Sequence, residues 1–207
     1  MTTDELRDHS QIAATVGAFA WRDQGRWPEL RSLFAENATI AVSWYSGPID
    51  GFIEASSKMT STEGVKTKHW LGQPRISLVR DRALVETDVT IMIRSSTGPV
   101  EIDITSYARF FDRLQRDTSG RWKIHSRVAI YEKDRMDPVK PSVLFWIASR
   151  LTSYRRYPAE LKHLAYGLAR KGSALASTVV TSGGSAERRL KFEALEWLDA
   201  RTTAQLP

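Results

Sequence analysis

Four β-prone runs follow one another between residues 67 and 132, with turn residues and no helical segment between them. They cover roughly 67–79, 82–95, 99–114 and 121–132, and Gln73-Pro74, Arg80-Asp81, Ser96-Thr97-Gly98-Pro99 and Asp117-Thr118-Ser119-Gly120 punctuate them. Parallel neighbours need a crossover, usually a helix, between successive strands, so this order dictates an antiparallel meander. Helices come first. Leu6, Ile12, Val16, Phe19 and Ala20 recur at helical spacing behind the capping candidates Thr3 and Asp4, which predicts a helix to about Trp21. Trp27-Pro28-Glu29-Leu30 opens a second, short helix with Leu30, Leu33 and Phe34 as its stripe, after the turn Arg22-Asp23-Gln24-Gly25-Arg26. A strand over 39–45 and a helix over 49–59 precede the meander, and the class is α+β.

After Lys133-Asp134-Arg135-Met136-Asp137-Pro138 the pattern turns helical near 142–156, 158–172 and 185–200, with the flexible break Ser182-Gly183-Gly184-Ser185 before the last. The expected organisation is a body over 1–138 and a basic helical extension over 139–207. The extension carries 11 Lys/Arg and 5 Asp/Glu, which accounts for the whole net charge of +6 and leaves the body neutral. Charges spread over solvated helices explain such a balance, and no nucleic-acid motif accompanies them, so no specific nucleic-acid partner is expected. Phe145, Trp146, Phe192 and Trp197 are expected to anchor these helices on the body.

The 42% apolar and 26% charged residues fit a globular chain. With no cysteine, disulfides, thiolate metal sites and cysteine nucleophiles are excluded. His9, His69, His125 and His163 lie at no ligand spacing, and no phosphate loop or dinucleotide fingerprint occurs, so neither metal nor cofactor is expected. An acidic N-terminus and the lack of an 18-residue apolar run predict a cytoplasmic protein without a membrane partner.

Three strings carry a resemblance: Trp21-Arg22-Asp23-Gln24-Gly25-Arg26-Trp27 followed by Leu30 and Leu33-Phe34-Ala35, then Thr67-Lys68-His69-Trp70-Leu71-Gly72, then Gly120-Arg121-Trp122-Lys123-Ile124. In order and spacing, residues 4–138 resemble the nuclear transport factor 2-like superfamily in its SnoaL-like, scytalone dehydratase-like branch. The resemblance implies a cone-shaped curved sheet wrapped around the N-terminal helices, an apolar closed-ended pocket, and a homo-oligomer, dimer or trimer. Its enzymes perform eliminations with an Asp and a His facing each other, and these positions fall on Asp23 and His69. Two further pocket positions of the family, a His and an Asn, fall on Arg94 and Tyr107. An arginine position falls on Ala129, whose strand face Arg127 shares.

The residue types suit that chemistry. An imidazole accepts and returns a proton near neutral pH, and a carboxylate orients its ring and stabilises its cation. Arg94, Tyr107, Arg127 and Tyr131 offer donors for a developing oxyanion. Trp21, Trp44, Tyr45 and Trp70 fall where the family has its pocket or its mouth, and suit an aromatic substrate. Alternation along 82–95 leaves both faces open, Leu84 to Arg94 or Ala83 to Ile93. The expectation is therefore a lyase without cofactor acting on a hydroxylated aromatic or polycyclic molecule, by dehydration or by retro-aldol loss of formaldehyde from a lignin-derived diaryl compound. The alternative is a noncatalytic binding or structural subunit, because Tyr131 to Pro138 resembles the end of ring-hydroxylating dioxygenase β subunits.

Overall fold

The computed structural model of the chain describes residues 2–60 and 66–200. Helix α1 (Thr3–Gly17) is capped one residue earlier than expected. The Glu5 backbone N–H donates to the Thr2 hydroxyl and the Thr2 N–H donates to the Glu5 carboxylate, closing a capping box. The chain then tightens into a 3-10 helix, Ala18–Gln24, which runs past Trp21 and absorbs most of the expected turn. Gly25 ends it at φ +68°, a left-handed conformation that glycine adopts without the Cβ penalty. Helix α2 (Trp27–Ser32) follows, with Pro28 in its first turn.

Phe34 opens strand β1 (Phe34–Ala41) instead of closing the α2 stripe. Strand β2 (Ser46–Pro48) leads into α3 (Ile49–Thr60), and the run over 67–79 divides into β3 (Lys66–Leu71) and β4 (Arg75–Val79). The long strands β5 (Arg82–Thr97), β6 (Val100–Arg116) and β7 (Trp122–Pro138) form the meander in full antiparallel register. Bulges at Tyr107/Ala108 and Arg113/Leu114 bend the two longest partners.

Beyond Pro138 lie α4 (Val143–Leu151), α5 (Lys162–Arg170), the short strand β8 (Val180–Thr181) and α6 (Ser185–Asp199). The eight strands make one curved sheet ordered β2-β1-β7-β6-β5-β3, with β4 also on β5 and β8 also on β7. It is not wholly antiparallel, because β1 and β8 both run parallel to β7. Consecutive order constrains the hairpin partners only. β1 and β8 reach β7 through long intervening segments, which leave their direction free.

One face of the meander, built by Val85, Val89, Ile91, Ile104, Ala108, Phe110 and Ala129, packs against Ile12, Val16 and Phe19 of the N-terminal helices. Leu161, Leu164 and Leu168, around and on α5, join this same core. The opposite face buries Leu84, Phe111 and Ile130 beneath Ala194 and Leu198 of α6. Arg109 fastens the helix there, donating to Glu86, Glu132 and Glu187 at 2.7, 2.6 and 2.8 Å. Trp197 stacks under Arg82 and Arg113, and Phe145 is buried in the main core, so both anchor the extension. Trp146 and Phe192 do not, since both project into solvent.

Removing a large buried ring leaves a cavity as well as losing its transfer energy. Phe111→Ala is accordingly expected to cost about 3–5 kcal/mol in urea unfolding. A loss below about 1 kcal/mol, the level of ordinary surface changes, would mean that α6 leaves this face open.

Candidate active site

The tight 3-10 turn gives the site its geometry. It aims Phe19 and Arg22 inward and swings Asp23 against the middle of β3, where the two carboxylate oxygens take two different groups of one residue. Asp23 Oδ2 accepts the His69 backbone N–H at 2.6 Å, and Oδ1 lies 2.7 Å from His69 Nδ1. An ionised carboxylate only accepts, so Nδ1 carries the proton and Nε2 presents its lone pair. Nε2 takes no hydrogen bond from the described residues, and His69 lines a cavity. Phe19 meets the imidazole edge-on, with centroids 5.8 Å apart.

The electrostatics favour a neutral imidazole beside a charged carboxylate. Burial is the largest influence on His69 and pushes its pKa below 6.5; Arg22 and Arg127 push the same way, and Asp23 opposes them. Burial also works against the charge on Asp23, but the His69 contacts and Arg22 outweigh it and hold the carboxyl below its usual range. Arg22, itself buried, donates to Asp23 Oδ1 at 3.3 Å and to Ser56 Oγ of α3 at 3.0 Å. Oδ1 thus meets both the Arg22 guanidinium and the His69 ring, while Oδ2 takes the His69 backbone N–H.

The cavity measures about 70 Å³ and is walled mainly by apolar groups, among them Phe52, Ile91, Ile93 and Phe110. The meander therefore turns its Ala83-to-Ile93 face to the site. Of the expected substrate contacts, Trp44 lines the cavity, stacked on Phe52 at 5.3 Å. Tyr45 stands behind it: its ring packs on Phe52 and its hydroxyl donates to the Pro48 carbonyl at 2.8 Å. A Cβ on Gly51 would lie 2.3 Å from that hydroxyl, so glycine is what lets Tyr45 close up.

Arg94 and Tyr107 are placed elsewhere. Register pairs Arg94 with Asp103 and Thr90 with Tyr107, which puts both on the far face, and Arg94 is held there by Asp103 at 2.8 and 2.7 Å. Trp70 also points away from the site and is exposed. Trp21 packs on the edge of the core with Arg26 over its ring.

Arg127 is fully buried on the site's face without reaching the cavity. It makes a two-bond pair with Asp112, at 2.7 Å each, between the rings of Phe19 and Phe110. Its charge bears on His69, and Phe19 touches both groups.

Tyr131 does reach the cavity. Its oxygen accepts the Ser43 N–H at 2.8 Å, which leaves its own O–H to donate, and burial raises its pKa so that it stays protonated. Sequence reasoning missed Leu164 and Leu168, which supply a wall of the cavity from α5. Their signal was the stripe Leu161, Leu164, Ala165 and Leu168, an apolar helix face in need of a partner. Among the described residues no group of three His, Asp or Glu side chains is arranged to hold a metal ion.

In an NMR titration, His69 is expected to titrate below 6.5, and Asp23→Asn is expected to lower that value further, because the carboxylate is what opposes burial. A rise on losing the carboxylate would show that Asp23 does not bear on the imidazole.

Residues 4–128 match the family described as a SnoaL-like domain. Among curated proteins the chain is similar to "Pea pathogenicity protein 2" of Fusarium vanettenii, 28% identical over 151 residues, or 71% of this chain and 63% of that protein. The chain therefore spans less than two thirds of this relative. Two solved structures share the fold. One, from Novosphingobium aromaticivorans and described as a candidate scytalone dehydratase, is 18% identical with a TM-score of 0.56, covering 69% of this chain and 99% of its own. The other, a type 2 hexachlorocyclohexane dehydrochlorinase, is 18% identical with a TM-score of 0.56, covering 67% and 93%. Because the matched segment takes in more than half of the chain, with the Asp23 turn and the His69 strand inside it, the protein belongs to the SnoaL-like domain family within the nuclear transport factor 2-like superfamily.

Proposed function

We propose that this chain is a lyase that needs no cofactor and dehydrates a hydroxylated aromatic or polycyclic small molecule, with His69 as general base and then general acid. The observation that carries this reading is the lone pair of His69 Nε2, held towards an apolar cavity by an Asp23 carboxylate that occupies both the ring Nδ1–H and the backbone N–H.

In the proposed reaction Nε2 removes a proton from the carbon next to a carbonyl, and the charge passes to the carbonyl oxygen, where the Tyr131 O–H donates. The imidazolium, stabilised by Asp23, returns that proton to the hydroxyl as its C–O bond breaks, releasing water and leaving a conjugated double bond. Trp44 and Phe52 offer ring faces to an aromatic substrate. Retro-aldol cleavage would use the same proton carrier, and the product, aldehyde or water, tells the two apart. A cavity left beside the base supports catalysis over a purely structural role, in which the chain's own side chains would fill it.

The test is water loss from aromatic β-hydroxy carbonyl compounds, followed as the absorbance of the conjugated product. His69→Ala is expected to lower kcat by roughly 10²–10⁴-fold, as loss of a positioned base does. Asp23→Asn should cost nearly as much, and the double variant should be little worse than either, because groups that act as one unit are not additive. The rate should fall as pH drops through a value below 6.5, where His69 gains its proton. Near-normal turnover in His69→Ala would refute the assignment.

A further inference from the structure

The extension carries an apolar helix face that no described residue covers. On α4 only Phe145 turns inward, while Val143, Leu144, Trp146, Ile147 and Leu151 project into solvent, Val143 at 76% and Leu151 at 81% exposure. At about 100° per residue, Val143, Leu144, Ile147 and Leu151 share an arc of about 100°. A contiguous apolar face of this kind on a protein surface marks an interaction.

The surrounding charge identifies the partner. Between residues 139 and 172 stand seven Lys/Arg and a single acid, Glu160. Elsewhere in the fold several exposed arginines are paired, as Arg75, Arg94, Arg121 and Arg135 are with Asp88, Asp103, Asp117 and Asp137, and ones in no ion pair with the described residues, such as Arg80 and Arg188, are not gathered around an apolar face. Among the described residues none of those seven enters an ion pair. Four of them bracket the apolar helix: Lys140 before it, Arg150 within it, Arg155 and Arg156 just after it. Tyr154 and Tyr157, half-buried, follow as well.

We propose that α4 and its flanking cations bind the surface of an anionic lipid membrane, the apolar side chains entering the boundary between headgroups and acyl chains while the cations meet lipid phosphates. A short helix with bulky apolar residues on one side and basic residues around it lies in that plane, and Trp and Tyr favour the same depth. Among the described residues no helix is long and apolar enough to cross a membrane, and surface binding requires none. A second copy of the chain fits less well, because a two-fold contact would press this unpaired positive patch against itself. Nucleic acid would satisfy the cations but leave five apolar side chains without a role.

Co-sedimentation with vesicles of phosphatidylcholine alone, and of phosphatidylcholine with about one quarter phosphatidylglycerol, tests this. The protein is expected to pellet with the anionic vesicles only, less so in high salt, with a blue shift of tryptophan emission. The double variant Ile147→Ser, Leu151→Ser should lose the binding. Arg155→Gln with Arg156→Gln should weaken it roughly fivefold for each cation removed. These side chains are exposed, so circular dichroism should show unchanged folding in both variants. The proposal is overturned by failure to bind anionic vesicles, by equal binding to both kinds, by tighter binding to duplex DNA, or by a stable dimer that Ile147→Ser, Leu151→Ser dissolves.

Discussion

One carboxylate joins the two halves of the site. Asp23 reaches from the end of a helical turn to a strand and takes from His69 both a backbone and a ring hydrogen bond. The backbone bond fixes how the 3-10 helix sits on β3, and the ring bond fixes the tautomer and the direction of Nε2. Position and protonation of the base are thus set by the same two oxygens. Gly25, at positive φ, ends the turn two residues after Asp23.

Around this contact the fold tolerates an unusual amount of buried charge. Arg22, Asp112 and Arg127 are almost completely enclosed. A buried pair stabilises little by comparison with apolar packing, and breaking one by removing a single partner is costly. Arg22 and Arg127 both push the His69 pKa down, and the Arg127 guanidinium lies over the rings of Phe19 and Phe110. Such a cavity holds a base in its neutral form at a pH where a solvated histidine is partly charged.

The parts of this fold that were legible in sequence were those governed by local pattern. Periodicity and turn residues located the three meander strands and the helix ending near Met59, because alternation and Gly/Pro punctuation act over a few residues, but β7 runs on to Pro138, past the expected end at 132. Asp23 and His69 were singled out through strings that resemble a family, and the structure puts their side chains in contact. What depends on distant partners was not readable. Whether Arg94 and Tyr107 faced the site turned on which side of the sheet the N-terminal helices chose. The parallel seat of β1 beside β7 depended on residues some ninety positions away, as in Ile40 beside Arg127. Trp146 and Phe145 are neighbours of similar hydrophobicity, and nothing local says which one the body will bury.

The wall that α5 adds brings two separate parts of the chain to one cavity. His69 and Asp23 stand inside the segment that matches the family, residues 4–128, whereas Leu164 and Leu168 arrive from the part of the chain beyond it. Changes beyond residue 128 can therefore reshape the cavity while leaving the Asp23–His69 contact intact. Under the proposed function, chimaeras that exchange residues 159–172 between relatives would alter which molecules fit the cavity without touching the acid–base pair.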